Sequence, residues 1–307
     1  MVGGTGITAV LAAQITKEAS TQTYLTIRSL VDRKRMPDAF RTYAYFRWVD
    51  DTIDRDELGP GDRDDFMQSQ RNLLTRCLQG DFPRDGCVEE LMLVDLLQGD
   101  LGHSWGLRTY LQDMMAVMAF DVGRRGRYIT ADELAWYSRR LATAVTEAVY
   151  TFIGRECGAP RIPARYVAAD AAHIAHMLRD YLEDLETGYI NIPVEALESG
   201  GFQAGDIASD GFRAWVKERV QLARAYFAEG KAYTHEMADL RCQIASTCYA
   251  LRFKGVLQAI EREGYLLREN YDDCKNLPSA LNMLWQSLRL VVGDLAPKPQ
   301  GVMRSAP

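Results

Sequence analysis

RYVAADAAHIAHMLRDYLEDLET, residues 165–187, places its alanines, Ile174, Met177 and Leu178 at helical spacing. Pro160 and Pro163 stand ahead of it, and Gly188 and Pro193 close it. One long helix is predicted. At about 100° per residue, Asp180 and Asp184 fall on one face, with His176 a turn earlier and His173 close to that row. Working outward, LAWYSRRLATAVTEAVYTFIG is introduced by the capping-box spacing Thr130 to Glu133 and ends at Gly154. FRAWVKERVQLARAYFAEGKAY and LRCQIASTCYALRFKGVLQAIEREGY continue the pattern. Pro37 suits a first helical turn, and Gly59-Pro60 stops the segment that follows it. No run alternates like a strand, and neither a linker nor an internal repeat is visible, so the chain reads as one all-α domain over 15–292. A flexible start over 1–14 and a loose tail over 293–307 are expected.

The chain has 307 residues, 47% of them hydrophobic and 25% charged, enough to bury a sizeable core. A formal charge of −6 gives no basic footprint for nucleic acid. The six cysteines, at 77, 87, 157, 242, 248 and 274, form no CxxC and no zinc spacing, so reduced thiols are expected. No stretch approaches the roughly 20 apolar residues of a membrane span, and MVGGTGITAV lacks the basic start of a signal peptide, which predicts a cytoplasmic protein. Oligomeric state leaves no mark.

A second acidic stretch, RWVDDTID at Arg47 to Asp54, puts three carboxylates into five positions near the end of a helix about five turns long. Asp50 and Asp54 share a face; Asp51 points elsewhere. Like charges at i,i+4 cost a bare helix a few tenths of a kcal/mol, and burying unpaired carboxylates costs several kcal/mol each, so a cation must compensate. Mg²⁺ takes a few carboxylates together with phosphate oxygens of a substrate. The two acidic faces, accompanied by Arg47 and Arg179, therefore predict that Asp50, Asp54, Asp180 and Asp184 bind Mg²⁺ and, through it, a diphosphate.

These residues resemble the squalene and phytoene synthases. YFRWVDDTID is similar to that family's first aspartate-rich motif, and LRDYLEDLETGYINIP to its second. AxxYFxxG at Ala223 to Gly230 fits a downstream pattern, and the likeness covers roughly residues 15 to 290. The resemblance implies a single-domain isoprenoid synthase bundle around a central cavity, in which metal ions and Arg47 neutralise a departing diphosphate. It also places Tyr43 and Tyr137 in the substrate pocket.

Departures from the family pattern point to a changed substrate. His173 and His176 stand where the family has Gln and Asn, and Thr21-Gln22-Thr23-Tyr24 replaces a lysine-bearing segment. Phe253 replaces a tyrosine and Asn270 stands at an arginine position. LATAVTE replaces a glycine-bearing VAGTVG, so that Thr143 and Thr146 are expected to reduce the room for long prenyl chains. Together these predict a Mg²⁺-dependent prenyltransferase that ionises a short allylic donor, dimethylallyl diphosphate favoured. The prenyl group passes to a neutral, carbazole-like aromatic acceptor, as in squalene-synthase-like enzymes of bacterial natural-product pathways. His176, or His173, would hold an acceptor hydroxyl or take the ring proton. Three alternatives stand beside this. One is head-to-head condensation of two prenyl diphosphates, with Arg139, Arg140 or Arg268 supplying the lost cations. The others are a single-substrate terpene synthase and a non-catalytic member of the fold.

Overall fold

The computed structural model describes residues 3–55, 57–154, 160–237, 239–271 and 289. Twelve α-helices carry these residues: α1 (Gly3–Ala19), α2 (Thr21–Leu30), α3 (Met36–Ile53), α4 (Pro60–Leu78), α5 (Val88–Gln98), α6 (Trp105–Arg124), α7 (Ala131–Phe152), α8 (Val167–Arg179), α9 (Tyr181–Glu186), α10 (Val194–Gly200), α11 (Asp210–Glu236) and α12 (Leu240–Arg262). Among the described residues there is no strand, only an isolated bridge between Ile129 and Pro193. The all-α reading holds. Cys77 and Cys87 are free thiols; Cys157 and Cys274 lie outside the described residues, as does the segment 293–307.

Local chemistry sets the helix ends. Pro37 occupies the first turn of α3, where its missing N–H is not needed. At Thr130 the capping box closes: the Glu133 N–H donates to Thr130 Oγ1 at 3.2 Å, and the Thr130 N–H to Glu133 Oε2 at 2.9 Å. Two expectations fail. Residues 3–14 are not loose but lie in α1, which buries Thr8, Ala12 and Thr16 against the body. Thr8 Oγ1 donates to Asp95 Oδ2 at 2.7 Å and accepts from Arg41 Nε at 3.0 Å, which pins the helix. The long helix over 165–187 is also broken: α8 stops at Arg179, Asp180 has φ −96° and ψ 7°, and α9 resumes at Tyr181.

Packing divides into two clusters. Phe40, Tyr45, Met92, Leu107 and Leu111 centre the first, built on α3, α5 and α6. Leu178, Tyr181, Phe212, Leu257 and Ile260 centre the second, built on α8, α11 and α12. The α6–α7–α8 run joins them, each helix packing along the next. Gly230 lets α11 cross α8 closely, since a Cβ there would fall 2.6 Å from the Cβ of Ala168. The turn after α6 is hooked to the loop after α9. Gly126 (φ +77°) donates its N–H to the Gly188 (φ +91°) carbonyl at 2.8 Å, and the Val194 N–H reaches the Ile129 carbonyl at 2.9 Å.

Candidate active site

Two helix ends from opposite clusters form the site. Asp50 lies in the last turn of α3 and Asp54 caps it; Asp180 occupies the α8–α9 break and Asp184 lies in α9. All four line one cavity of about 310 Å³, together with Asp121, Arg124, Tyr137, His173, His176 and Tyr189. A direct bond spans the two acidic stretches, from Tyr189 Oη to Asp54 Oδ1 at 3.1 Å.

The four carboxylates are not equivalent. Asp180 is gripped by Arg179, Nε to Oδ1 at 2.5 Å and Nη2 to Oδ2 at 2.7 Å, and by His176, whose Nε2 lies 2.9 Å from Oδ2. Burial opposes its ionisation, but these donors outweigh it and hold the carboxyl well below the usual range. Asp184 accepts from Asn191 Nδ2 at 2.7 Å, and is pushed up to about 7 by burial and by the charge of Asp180, with Arg124 opposing. Asp50 is likewise pushed up to about 7, by burial first and then by Asp54; Arg47 Nη1, 3.6 Å from Asp50 Oδ2, offsets only part of this. Arg47 is itself drawn to the exposed Asp51.

A second layer of bonds fixes the cavity wall. Arg124 Nε donates to Asp121 Oδ1 at 2.6 Å and Nη1 to Asn191 Oδ1 at 2.7 Å, while its guanidinium lies over the rings of Tyr137 (4.9 Å) and Tyr189 (5.0 Å). Tyr137 Oη donates to Asp121 Oδ2 at 3.2 Å. Asp121 is pushed up by burial, against the pull of Arg124. Arg124, Tyr189 and Asn191 are site residues that the sequence reading passed over. Their signals were the i,i+3 spacing of Asp121 and Arg124, and the position of Tyr189 and Asn191 inside the second acidic motif.

The other expected residues scatter. Tyr137 and His173 are in the wall; Arg179 acts through Asp180. Phe253 is buried beside His176 and Tyr249, at ring separations of 5.9 Å and 5.1 Å, and does not line the cavity. Tyr43 lies one turn before Arg47 on α3, outside the cavity lining, its hydroxyl pushed up by burial. Thr143 spends its hydroxyl on the Arg139 carbonyl at 2.8 Å and lines no described cavity. Thr146 lines a separate apolar chamber of about 730 Å³, walled by Leu25, Val149, Ile153, Met237, Ile244 and Tyr249 among others. Of the two threonines expected to reduce the room for long prenyl chains, Thr146 alone reaches a described cavity.

The donor set suits Mg²⁺. Asp50 and Asp184 carry negative charge that the protein leaves incompletely matched, and all four aspartates offer hard oxygens. Among the described residues no group of three acidic, His or Cys side chains is placed to hold a metal ion by itself. Asp50 and Asp184 bind protons in the folded chain that the unfolded chain has released, so ligand-free stability should fall as pH rises from about 4 to about 7. Asp170, pushed up to about 6 by burial, adds in the same direction, whereas Asp180 contributes only below the ordinary carboxylate value of 3.8. Mg²⁺ isolates the contribution of the site: it should raise the melting temperature more at pH 7.5 than at pH 5. Equal increments would contradict the assignment.

A model of the family described as squalene/phytoene synthase matches residues 16–275. The chain is 28% identical over 170 residues to a 15-cis-phytoene synthase of Synechocystis, covering 50% of each protein. It is 27% identical over 177 residues to a phytoene synthase of Thermus thermophilus, covering 56% of this chain and 58% of that one. The chain thus spans about half the length of the curated relatives it matches. In fold it is similar to a squalene synthase of Alicyclobacillus acidocaldarius, with TM-score 0.66, 22% identity and 85% of this chain and 95% of that one covered. It is similar also to a dehydrosqualene synthase crystallised with a ligand, with TM-score 0.72, 17% identity and 95% and 98% covered. No helix among the described residues is long and apolar enough to cross a membrane.

Proposed function

We propose, from the premise that this chain belongs to the squalene/phytoene synthase family, that it is a Mg²⁺-dependent prenyltransferase of natural-product biosynthesis. It ionises one short allylic diphosphate, dimethylallyl diphosphate favoured, and passes the prenyl group to a neutral, carbazole-like aromatic acceptor. One observation carries the reading: Asp50 and Asp54 line the same cavity as Asp180 and Asp184. When bound, Mg²⁺ supplies Lewis-acid charge at the leaving diphosphate. The chain's own residues do the rest. Arg47 and Arg179 bring positive charge beside two of the aspartates, and Arg124 holds the Asp121–Asn191 wall in place. Tyr137 and Tyr189, with Arg124 over their rings, line the cavity and limit water around an allylic cation.

A single diphosphate is favoured because Arg139, Arg140 and Arg268 line neither the aspartate cavity nor the apolar chamber. Arg140 pairs with Asp113 at 2.6 Å and covers Trp136; Arg268 pairs with Glu263 at 3.1 Å; Arg139 is exposed and lines neither cavity. One feature supports the second reading, head-to-head condensation. The half-buried Arg252 sits in the charge field of Arg179, Asp180 and Tyr43, and the apolar chamber nearby is large enough for long prenyl chains.

Incubation with dimethylallyl diphosphate, Mg²⁺ and a hydroxycarbazole should yield a prenylated ring and inorganic diphosphate. Farnesyl or geranylgeranyl diphosphate alone should yield no C30 or C40 hydrocarbon; its appearance would replace the first reading with the second.

A further inference from the structure

We propose that the pocket between α11 and α12 is a binding site for an organic phosphate, separate from the aspartate cavity, with which it shares no lining residue. Helical spacing builds it. Phe227, Lys231 and Thr234 lie at i, i+4 and i+7 along α11, and Thr247, Leu251 and Lys254 repeat that spacing along α12, so each helix turns one cationic face to the same space. The pocket holds about 330 Å³, within the roughly 300–1,000 Å³ of small-molecule sites. No carboxylate is among its lining residues. Lys254 Nζ lies 5.3 Å from the centre of the Phe227 ring, and burial, followed by the charges of Lys231 and Arg224, pushes its pKa down. Arg224 has its own counter-ion, since its Nε donates to Glu261 Oε1 at 2.6 Å. Among the described residues Lys231 and Lys254 have no acidic partner.

The chemistry of the lining narrows the ligand. Two ammonium groups close enough to repel, with no carboxylate between them, are relieved together by a dianion and only singly by a monoanion. A phosphate ester therefore fits better than a carboxylate, and its several oxygens can each accept a hydrogen bond. Ser246 and Thr247 bring hydroxyl donors, whereas Thr234 already donates to the Gly230 carbonyl at 2.8 Å. Phe227, Ala250 and Leu251 give the rest of the wall no charge, which suits the organic part of an ester rather than bare phosphate. The pocket also backs onto the apolar chamber, because Ala168, Gly230, Thr234 and Ser246 line both. The organic group thus has two places to lie: against Phe227 and Leu251, as a small ester would, or past Ser246 toward the chamber, as a prenyl phosphate would.

The test measures calorimetric binding of phenyl phosphate and of geranyl monophosphate in EDTA, where no metal seats a phosphate on the aspartates and no turnover is needed. The parent should bind at least one ester saturably, more tightly than inorganic phosphate or benzoate, and less tightly as salt is raised. Lys231→Met combined with Lys254→Met keeps both stems and removes both charges, so affinity should fall about tenfold or more. Lys231→Arg with Lys254→Arg should hold it within about threefold. Bound ester should also slow acetylation of Lys254 by acetic anhydride in the parent, read by mass spectrometry. Thermal unfolding confirms that the variants are folded. Ser246→Leu narrows the wall shared with the chamber: it should weaken geranyl monophosphate alone if the organic group reaches the chamber, and neither ester if that group lies against Phe227. Either result supports the site and identifies its ligand. The assignment is overturned by the absence of saturable binding of either ester, by inorganic phosphate or benzoate binding as tightly as the esters, by an ester that leaves Lys254 unprotected, or by a folded Met variant with parental affinity. A protein that prenylates no ring would lose the function proposed above and keep this site.

Discussion

Replacing Asp50 with Asn is expected to lower kcat/KM by about 10³-fold or more, a loss of about 4 kcal/mol of transition-state stabilisation, while leaving the ligand-free protein at least as stable as the parent. The two halves of that result have separate causes. Activity falls because Asp50 is one of the four cavity carboxylates and Asn carries no charge to hold a divalent cation. Stability is kept because the parental carboxyl is pushed up to about 7 by burial and by Asp54, and Asn relieves that repulsion. Asp180→Asn should also abolish turnover, but without the gain. Its carboxylate satisfies Arg179 and His176, so its removal strands two donors. Steady-state kinetics with donor and acceptor, paired with urea unfolding at pH 7.5 without Mg²⁺, checks both. An Asp50→Asn protein that is inactive because it has unfolded would show the aspartate to be structural.

Glu147→Ala should be the most damaging substitution for stability, costing about 3–5 kcal/mol. Glu147 is 1% exposed and receives Arg165 Nη2 at 2.9 Å and Tyr166 Oη at 2.9 Å; Arg165 is itself buried, with its guanidinium 3.6 Å from the centre of the Tyr150 ring. Truncation leaves a buried guanidinium without its counter-ion beside an apolar chamber. Replacing both members, as Glu147→Met with Arg165→Met, should recover much of the loss, since the desolvation cost of the pair disappears with its attraction. Urea midpoints of the single and double variants measure this. A loss under about 1 kcal/mol in the single variant would mean that water reaches the pair.

Much of this was readable from the chain. The aspartates were legible because helical spacing is a local property: i,i+4 puts two carboxylates on one face whatever the rest of the fold does. The Thr130 cap was legible for the same reason. The pairing of Asn191 with Arg124 was not, because it spans 67 positions and only the tertiary path of α6 and of the loop after α9 brings the two together. The break at Asp180 has no glycine or proline to announce it. Thr143 shows a finer limit. It and Thr146 are three apart on α7, but one hydroxyl turns back to its own helix while the other side chain reaches the chamber. α1 was missed because a glycine-rich start looks mobile until Asp95 and Arg41 are found holding Thr8.

The two packing clusters give substrate a mechanical role. Asp50 and Asp54 hang from one cluster and Asp180 and Asp184 from the other, so anything gripped by both pairs becomes a brace between them. Amide hydrogens deep in α5 and in α12, far from any bound molecule, should then exchange more slowly in step with one another once the gap is filled. Occupancy would be felt as rigidity throughout the bundle.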